Sequence, residues 1–115
     1  MGKSFYMYLE SRFIYRCKKC MVHLSSKDQL ISKDFMSGDG RAFLYNRVVN
    51  TYSGPNENRL LRTGSHIVCD TFCRSCKKKI GWSYVWAEDP TQKYKEGKVI
   101  LEKNCIDKVE WSHSG

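Results

Sequence analysis

Short apolar runs punctuated by polar and glycine-bearing breaks fill most of this chain, and hardly any run holds a helical period. Aromatic and β-branched residues gather in those runs, so the pattern predicts strands. Ile14-Tyr15-Arg16 and Val22-His23-Leu24 are the first apolar pieces, and Arg41 to Asn50 predicts a longer strand. Arg59 to Thr63 and Ser65 to Phe72 predict two strands broken at Gly64; Gly81 to Trp86 predicts another, and Lys98 to Glu102 the last clear one. Ser25 to Gly40 reads as a loop, because Ser25-Ser26-Lys27-Asp28 and Ser37-Gly38-Asp39-Gly40 bracket only Leu30-Ile31 and Phe35. Gly54 to Asn58 reads as a turn and Pro90 to Gly97 as a turn-rich connector, with Thr91 to Glu96 its one candidate helical turn.

Two cysteine pairs interrupt this β pattern. Cys17-Lys18-Lys19-Cys20 and Cys73-Arg74-Ser75-Cys76 stand fifty-two residues apart, each following a predicted strand. A C-x-x-C turn lets two sulfurs converge on one ion at about 2.3 Å, and backbone N–H groups in the turn soften the thiolate charge. Two such pairs close a four-sulfur shell around a structural Zn²⁺, placing the metal as a staple between distant strand ends. The alternatives are two disulfides or a dithiol redox site. Redox chemistry of the thioredoxin type needs a C-x-x-C at a helix start, and neither pair is followed by a helical period. Disulfides need an oxidising compartment, whereas Phe5-Tyr6-Met7-Tyr8-Leu9-Glu10 is too short and interrupted for a signal segment, so an intracellular location is expected. With four sulfurs in the shell, His23 and His66 are read as structural hydrogen-bonding groups and Cys69 as a small buried strand residue.

A length of 115 residues predicts one domain, residues 1–115, with its core at about 12–111. The formal charge is +8, but four thiolates and one Zn²⁺ change that by −4 and +2, leaving about +6. Much of the excess is local, since Arg16, Lys18, Lys19, Arg74 and Lys77 to Lys79 crowd the two cysteine turns. Compensation of the anionic cluster accounts for them; contact with nucleic acid is the alternative. No apolar run approaches ~18 residues, so no membrane span is expected. Tyr6 stands where a myristoylation signal needs Ser or Thr.

Several stretches together resemble the Yippee-like proteins from about Gly2 to Trp111. They are Ile14 through Cys20, His23-Leu24, Leu30 through Lys33, Gly40 through Asn50, Thr63 through His66, Cys76 through Tyr84 and Gln92 through Lys98, with the same separation of the cysteine pairs. The resemblance implies a single all-β domain of the β-tent type, two antiparallel sheets joined at one zinc held by Cys17, Cys20, Cys73 and Cys76. It further implies a small eukaryotic protein of nucleus and cytoplasm, without established catalysis, some members of the family associating with a multisubunit ubiquitin ligase. The architecture is also similar to the thalidomide-binding domain of cereblon, and Trp82 and Tyr84 fall where two of its cage aromatics would lie. Asn46 is a further polar candidate for that groove. Packing on a sheet core explains Trp82 and Tyr84 equally simply, since they lie two apart on one strand face.

Cys105 raises an enzymatic alternative. Methionine sulfoxide reductases of the B type share a zinc-stapled β fold and use a late cysteine, but Lys103-Asn104-Cys105-Ile106-Asp107 echoes their active segment only faintly. A nucleophile without its partners is weak support for catalysis. The expectation is therefore a non-catalytic, zinc-stabilised protein-interaction module, with a nucleic-acid or small-ligand reader as the alternative.

Overall fold

The computed structural model describes residues 6–110. Among the described residues nine strands form two antiparallel sheets, joined by short 3-10 turns and no long helix. The smaller sheet has the order β2-β1-β9, from β1 (Phe13–Cys17), β2 (His23–Ser26) and β9 (Ile106–Glu110). The larger has the order β3-β4-β8-β7-β6-β5. Its strands are β3 (Leu30–Ser37), β4 (Gly40–Tyr45), β5 (Thr51–Leu61), β6 (Gly64–Cys73), β7 (Lys79–Ala87) and β8 (Val99–Glu102). The expected all-β fold of two antiparallel sheets is the one observed. Among the described residues no helix is long and apolar enough to cross a membrane.

Side-chain alternation on the central strands explains why the larger sheet is covered on both faces. Phe43 and Tyr45 of β4, with Val99 and Leu101 of β8, point into one apolar cluster; Ala42, Leu44 and Ile100 point into another. Strands buried on both faces read as unbroken apolar runs, as Ala42-Phe43-Leu44-Tyr45 and Val99-Ile100-Leu101 do. The first cluster is the core between the sheets. It also takes Tyr15, Cys17, Leu24, Cys73, Ile80 and Ile106, and Tyr15 meets the Tyr45 ring edge-on at 5.2 Å. The second lies on the opposite face and contains Val68 and Tyr84, with Phe35, Leu61 and Trp82 packed against it. Gly81 permits the close β7–β8 approach: a Cβ there would stand 1.8 Å from the Ile100 carbonyl oxygen.

Five expectations are corrected by the strand pairing. The segment Ser25 to Gly40 is not a loop, because it contains the end of β2, a 3-10 turn and the whole of β3. Register shifts between Leu30 and Ser32 and between Ser32 and Phe35 break its alternation, and its charges suit an edge strand that must resist further pairing. Gly54 to Asn58 is not a turn but the middle of β5, which shifts register between Ser53 and Asn56. Pro55 is tolerated there because β5 is an edge strand with one side unpaired. The strand starting near Arg41 ends at Tyr45, and residues 46–50 cross toward the smaller sheet, where the Val49 amide donates to the Leu24 carbonyl at 2.7 Å. Lys98 to Glu102 does not hold the last strand: β9 follows and pairs along the whole of β1. The strand expected at Arg59 to Thr63 is the end of β5 and stops at Leu61, so the break falls at residues 62–63 and Gly64 opens β6. The remaining strands and the 3-10 turn Pro90–Lys95 lie within two residues of their expected positions. The expected limit of the core near residue 111, and the N-terminal residues 1–5, lie outside the described residues.

Candidate metal centre and the groove across the large sheet

Both cysteine turns are built alike. Cys17 ends β1 and Cys73 ends β6, so each strand delivers its first sulfur from the inter-sheet core, where both residues are fully buried. In the first turn the Met21 amide donates to the Cys17 carbonyl at 2.8 Å and the Cys17 amide to the Val22 carbonyl at 2.9 Å. In the second the Lys77 amide donates to Cys73 at 2.8 Å and the Cys73 amide to Lys78 at 2.9 Å. Met21 and Lys77, each the residue after a second cysteine, share a φ of 67°. A non-glycine residue in that region costs of order 1 kcal/mol, and here it closes the turn so that both sulfurs face one point.

The four sulfurs meet. Cys17, Cys20, Cys73 and Cys76 place their Sγ atoms all within 4.8 Å of one another, with Cys17–Cys76 at 3.7 Å and Cys20–Cys73 at 3.3 Å. A tetrahedron with bonds of about 2.3 Å has edges near about 3.8 Å, so the donors fit one Zn²⁺. The separations far exceed a disulfide bond of about 2.05 Å, and all four cysteines are free thiols. Burial pushes the Cys73 thiol up to about 12 and raises Cys17 as well, although the amides of both turns lower them in part. Burial also raises Cys20, but the Val22 amide, the Ser75 hydroxyl and neighbouring thiols outweigh it and bring it down to about 7. Four thiolates with sulfurs all within 4.8 Å of one another repel strongly, and a cation among them removes that penalty. Zinc supplies that charge and a closed structural shell.

The other candidates fall outside the shell. The His23 Nδ1 accepts from the Leu9 amide at 3.0 Å, and the His66 Nδ1 lies 2.8 Å from the Gly64 carbonyl oxygen with its ring against Tyr84. Cys69 is buried on β6. Cys105 is 8% exposed, and burial pushes its thiol up, the opposite of what a nucleophile needs. Exposed Lys18, Lys19, Arg74, Lys77, Lys78 and Lys79 surround the turns, yet Lys77 donates to the Arg74 carbonyl and Lys79 pairs with Asp70.

Trp82 and Tyr84 belong both to the second apolar cluster and to the wall of an open groove of about 1210 Å³. Its sides come from β3, the β5–β6 hairpin and the 3-10 turn Pro90–Lys95, with Phe35 and Tyr94 as further aromatic walls. Asn46 is not part of it; the residue is exposed elsewhere, and its amide donates to Gln29 Oε1 at 3.1 Å. Lys95 is part of it, and nothing in the sequence marks it, because a lysine in a turn-rich connector looks solvated. It is 3% exposed, and burial pulls its ammonium below the usual lysine value. Asn50 was also unmarked. At a φ of 59° it donates to the His23 carbonyl at 2.7 Å and the Met7 carbonyl at 2.9 Å, and accepts from the Met7 amide at 2.8 Å.

Comparison with known proteins agrees with this geometry. The sequence model of the family described as Yippee zinc-binding/DNA-binding/Mis18, centromere assembly, matches residues 13–114. Protein yippee-like 4 of Homo sapiens is 52% identical over 107 residues, covering 92% of this chain and 84% of that relative. A yippee-like protein of Solanum tuberosum is 44% identical over 113 residues, covering 98% of this chain and 87% of its own. The crystal structure of a Mis18 "Yippee-like" domain superposes with a TM-score of 0.69, covering 88% of this chain and 98% of that one. At 11% identity that likeness concerns the fold alone.

Proposed function

This chain belongs to the Yippee–Mis18 zinc-binding family, and from that membership we propose that it is a non-catalytic protein-interaction module, a component or regulator of a ubiquitin ligase complex in nucleus and cytoplasm. The closed sulfur shell supports the non-catalytic part of this reading, since a zinc with four protein ligands keeps no open position for a substrate or activated water. The observation that carries the module is the groove. At about 1210 Å³ it is larger than most small-molecule sites, and it mixes aromatic walls with charged rims, as protein-docking surfaces do. The ligase assignment takes its support from the family resemblance.

Affinity capture after crosslinking in the source cell tests it, comparing the native chain with Trp82→Ala and with Lys77, Lys78 and Lys79 replaced by Gln. Stoichiometric ligase subunits lost only in the groove variant are expected. Recovery of no stoichiometric protein partner overturns the module.

A second reading, nucleic-acid contact, is favoured by the exposed cations around the cysteine turns and by the DNA-binding element in the family's description. Phosphate contacts release counterions, so binding to arbitrary oligonucleotides would weaken steeply between low and physiological salt. Replacing Lys77, Lys78 and Lys79 by Gln would flatten that slope. An absence of retention on heparin or oligonucleotide at ~50 mM salt, a condition that leaves phosphate contacts weakly screened, removes this reading.

A further inference from the structure

Lys95 is a buried cation without an anion. Its Nζ donates to Thr63 Oγ1 at 3.1 Å and otherwise faces rings, with Phe35 at 5.2 Å, Tyr84 at 5.3 Å and Tyr94 at 6.0 Å from their centroids. No carboxylate lies within ion-pair distance among the described residues, although Asp34, Asp39 and Glu102 line more distant parts of the same groove. An ammonium has three donors, and one neutral hydroxyl takes only one. Ring faces offset part of the desolvation, but a buried lysine with neither carboxylate nor phosphate is costly to keep. The neighbouring cations differ from it: Arg59 bonds Glu57 and Asp70, and Lys79 also reaches Asp70. Among the described residues Lys95 is the buried lysine or arginine, it has no carboxylate partner, and it lines an open groove; other cations without an ion pair keep more contact with water.

We propose that Lys95 is the anchor for a carboxylate carried by an acidic peptide segment, the Asp or Glu side chain of a partner protein, with an adjacent apolar or aromatic side chain lying against Trp82 and Tyr94. Charge complementarity selects the acidic group, the aromatic walls select its neighbour, and the size of the groove selects a peptide over an isolated small acid. The proposal rests on the interaction-module reading and adds the chemistry of the partner.

Selection from a randomised dodecapeptide phage library on the zinc-loaded protein tests it. Peptides with an Asp or Glu beside an apolar or aromatic residue are expected to be enriched. A selected peptide, synthesised with amidated C-terminus, should bind at least about tenfold more weakly when its acidic residue is changed to the matching amide, and likewise to Lys95→Met. Lys95→Met should fold with an unchanged or raised melting temperature, because it removes an uncompensated buried charge and keeps the stem. If that variant does not fold, the ¹³Cε signal of Lys95 in the wild type decides: it should move with the acidic peptide and stay in place with the amide form or with millimolar inorganic phosphate. Enriched peptides lacking an acidic position, or acidic peptides bound equally by Lys95→Met, overturn the proposal while leaving the module intact. An equal response to phosphate overturns it as a generic anion effect. Selection of no peptide overturns it too, and only with failure of partner capture does the module fall with it.

Discussion

Removing the zinc should cost this protein a large share of its stability, and the size of the effect follows from connectivity. Among the described residues the two sheets share no hydrogen-bonded strand pair. Besides the core between them and the bridge at Asn50, whose carbonyl accepts from the Arg74 amide at 2.9 Å and whose side chain donates to the His23 carbonyl, the metal ties the end of β1 to the end of β6. Linking Cys20 to Cys73 closes a loop with fifty-two intervening residues. Chain entropy for a closed loop of that length is worth about 4 kcal/mol, against a stability of about 5–15 kcal/mol for a domain of this kind. For a chain of this size that corresponds to a fall in melting temperature of about 15 °C, before any loss of packing around the fully buried Cys17 and Cys73 is counted. The assay is addition of a high-affinity zinc chelator to reduced protein at neutral pH. Metal release is followed by atomic absorption, with far-UV circular dichroism and the thermal midpoint read in parallel. Complete metal release with the spectrum unchanged and the midpoint moved by less than about 5 °C would mean that the fold does not depend on the metal.

Three substitutions probe the rest of the framework. Gly81→Ala sets a methyl group where the Ile100 carbonyl lies 1.8 Å away, so β7 and β8 must part; a loss of about 2–4 kcal/mol is expected in urea melts, and a change under about 0.5 kcal/mol contradicts it. Asn50→Ala removes the bonds to Met7 and His23, at about 2–4 kcal/mol, and should speed hydrogen exchange at the Met7 amide; unchanged exchange there argues against the tie. The Asp70 carboxyl feels burial, which raises it, but the Arg59 bond and Lys79 hold it below the usual carboxylate value. Its contribution is therefore complete above the unfolded value of about 3.9 and fades as pH falls through the lower folded value, at most about 1 kcal/mol for a pair that keeps part of its contact with water. The wild type should lose its advantage over Asp70→Asn in urea midpoint as pH drops from about 5 to 2, and a constant difference rules this out.

The metal ligands were legible because their chemistry is local: two residues between cysteines suffice to aim two sulfurs, and two such turns complete a shell. The buried strands β4, β7 and β8 were legible because their apolar runs are nearly continuous. Edge strands were not. In β3 and β5 shifted registers blur the alternation, and β9 carries only Ile106 and Val109 as apolar residues, so each needed its neighbour to become a strand. Trp82 and Tyr84 form a visible pair on one strand face, whereas Asn46 carries no local sign of its surroundings and lies outside the groove.

Residue order alone carries the zinc shell, the β class and the strands whose burial leaves an apolar signature. Which polar side chains are withdrawn from water emerges only from the packed molecule. Lys95 and Asn50 look solvated in sequence, because burial of a polar group depends on rings and carbonyls supplied by segments dozens of residues away, among them Phe35 and Tyr84 for the lysine and His23 and Met7 for the asparagine. Covalent spacing encodes what neighbours along the chain can do; desolvation is a property of the assembled whole.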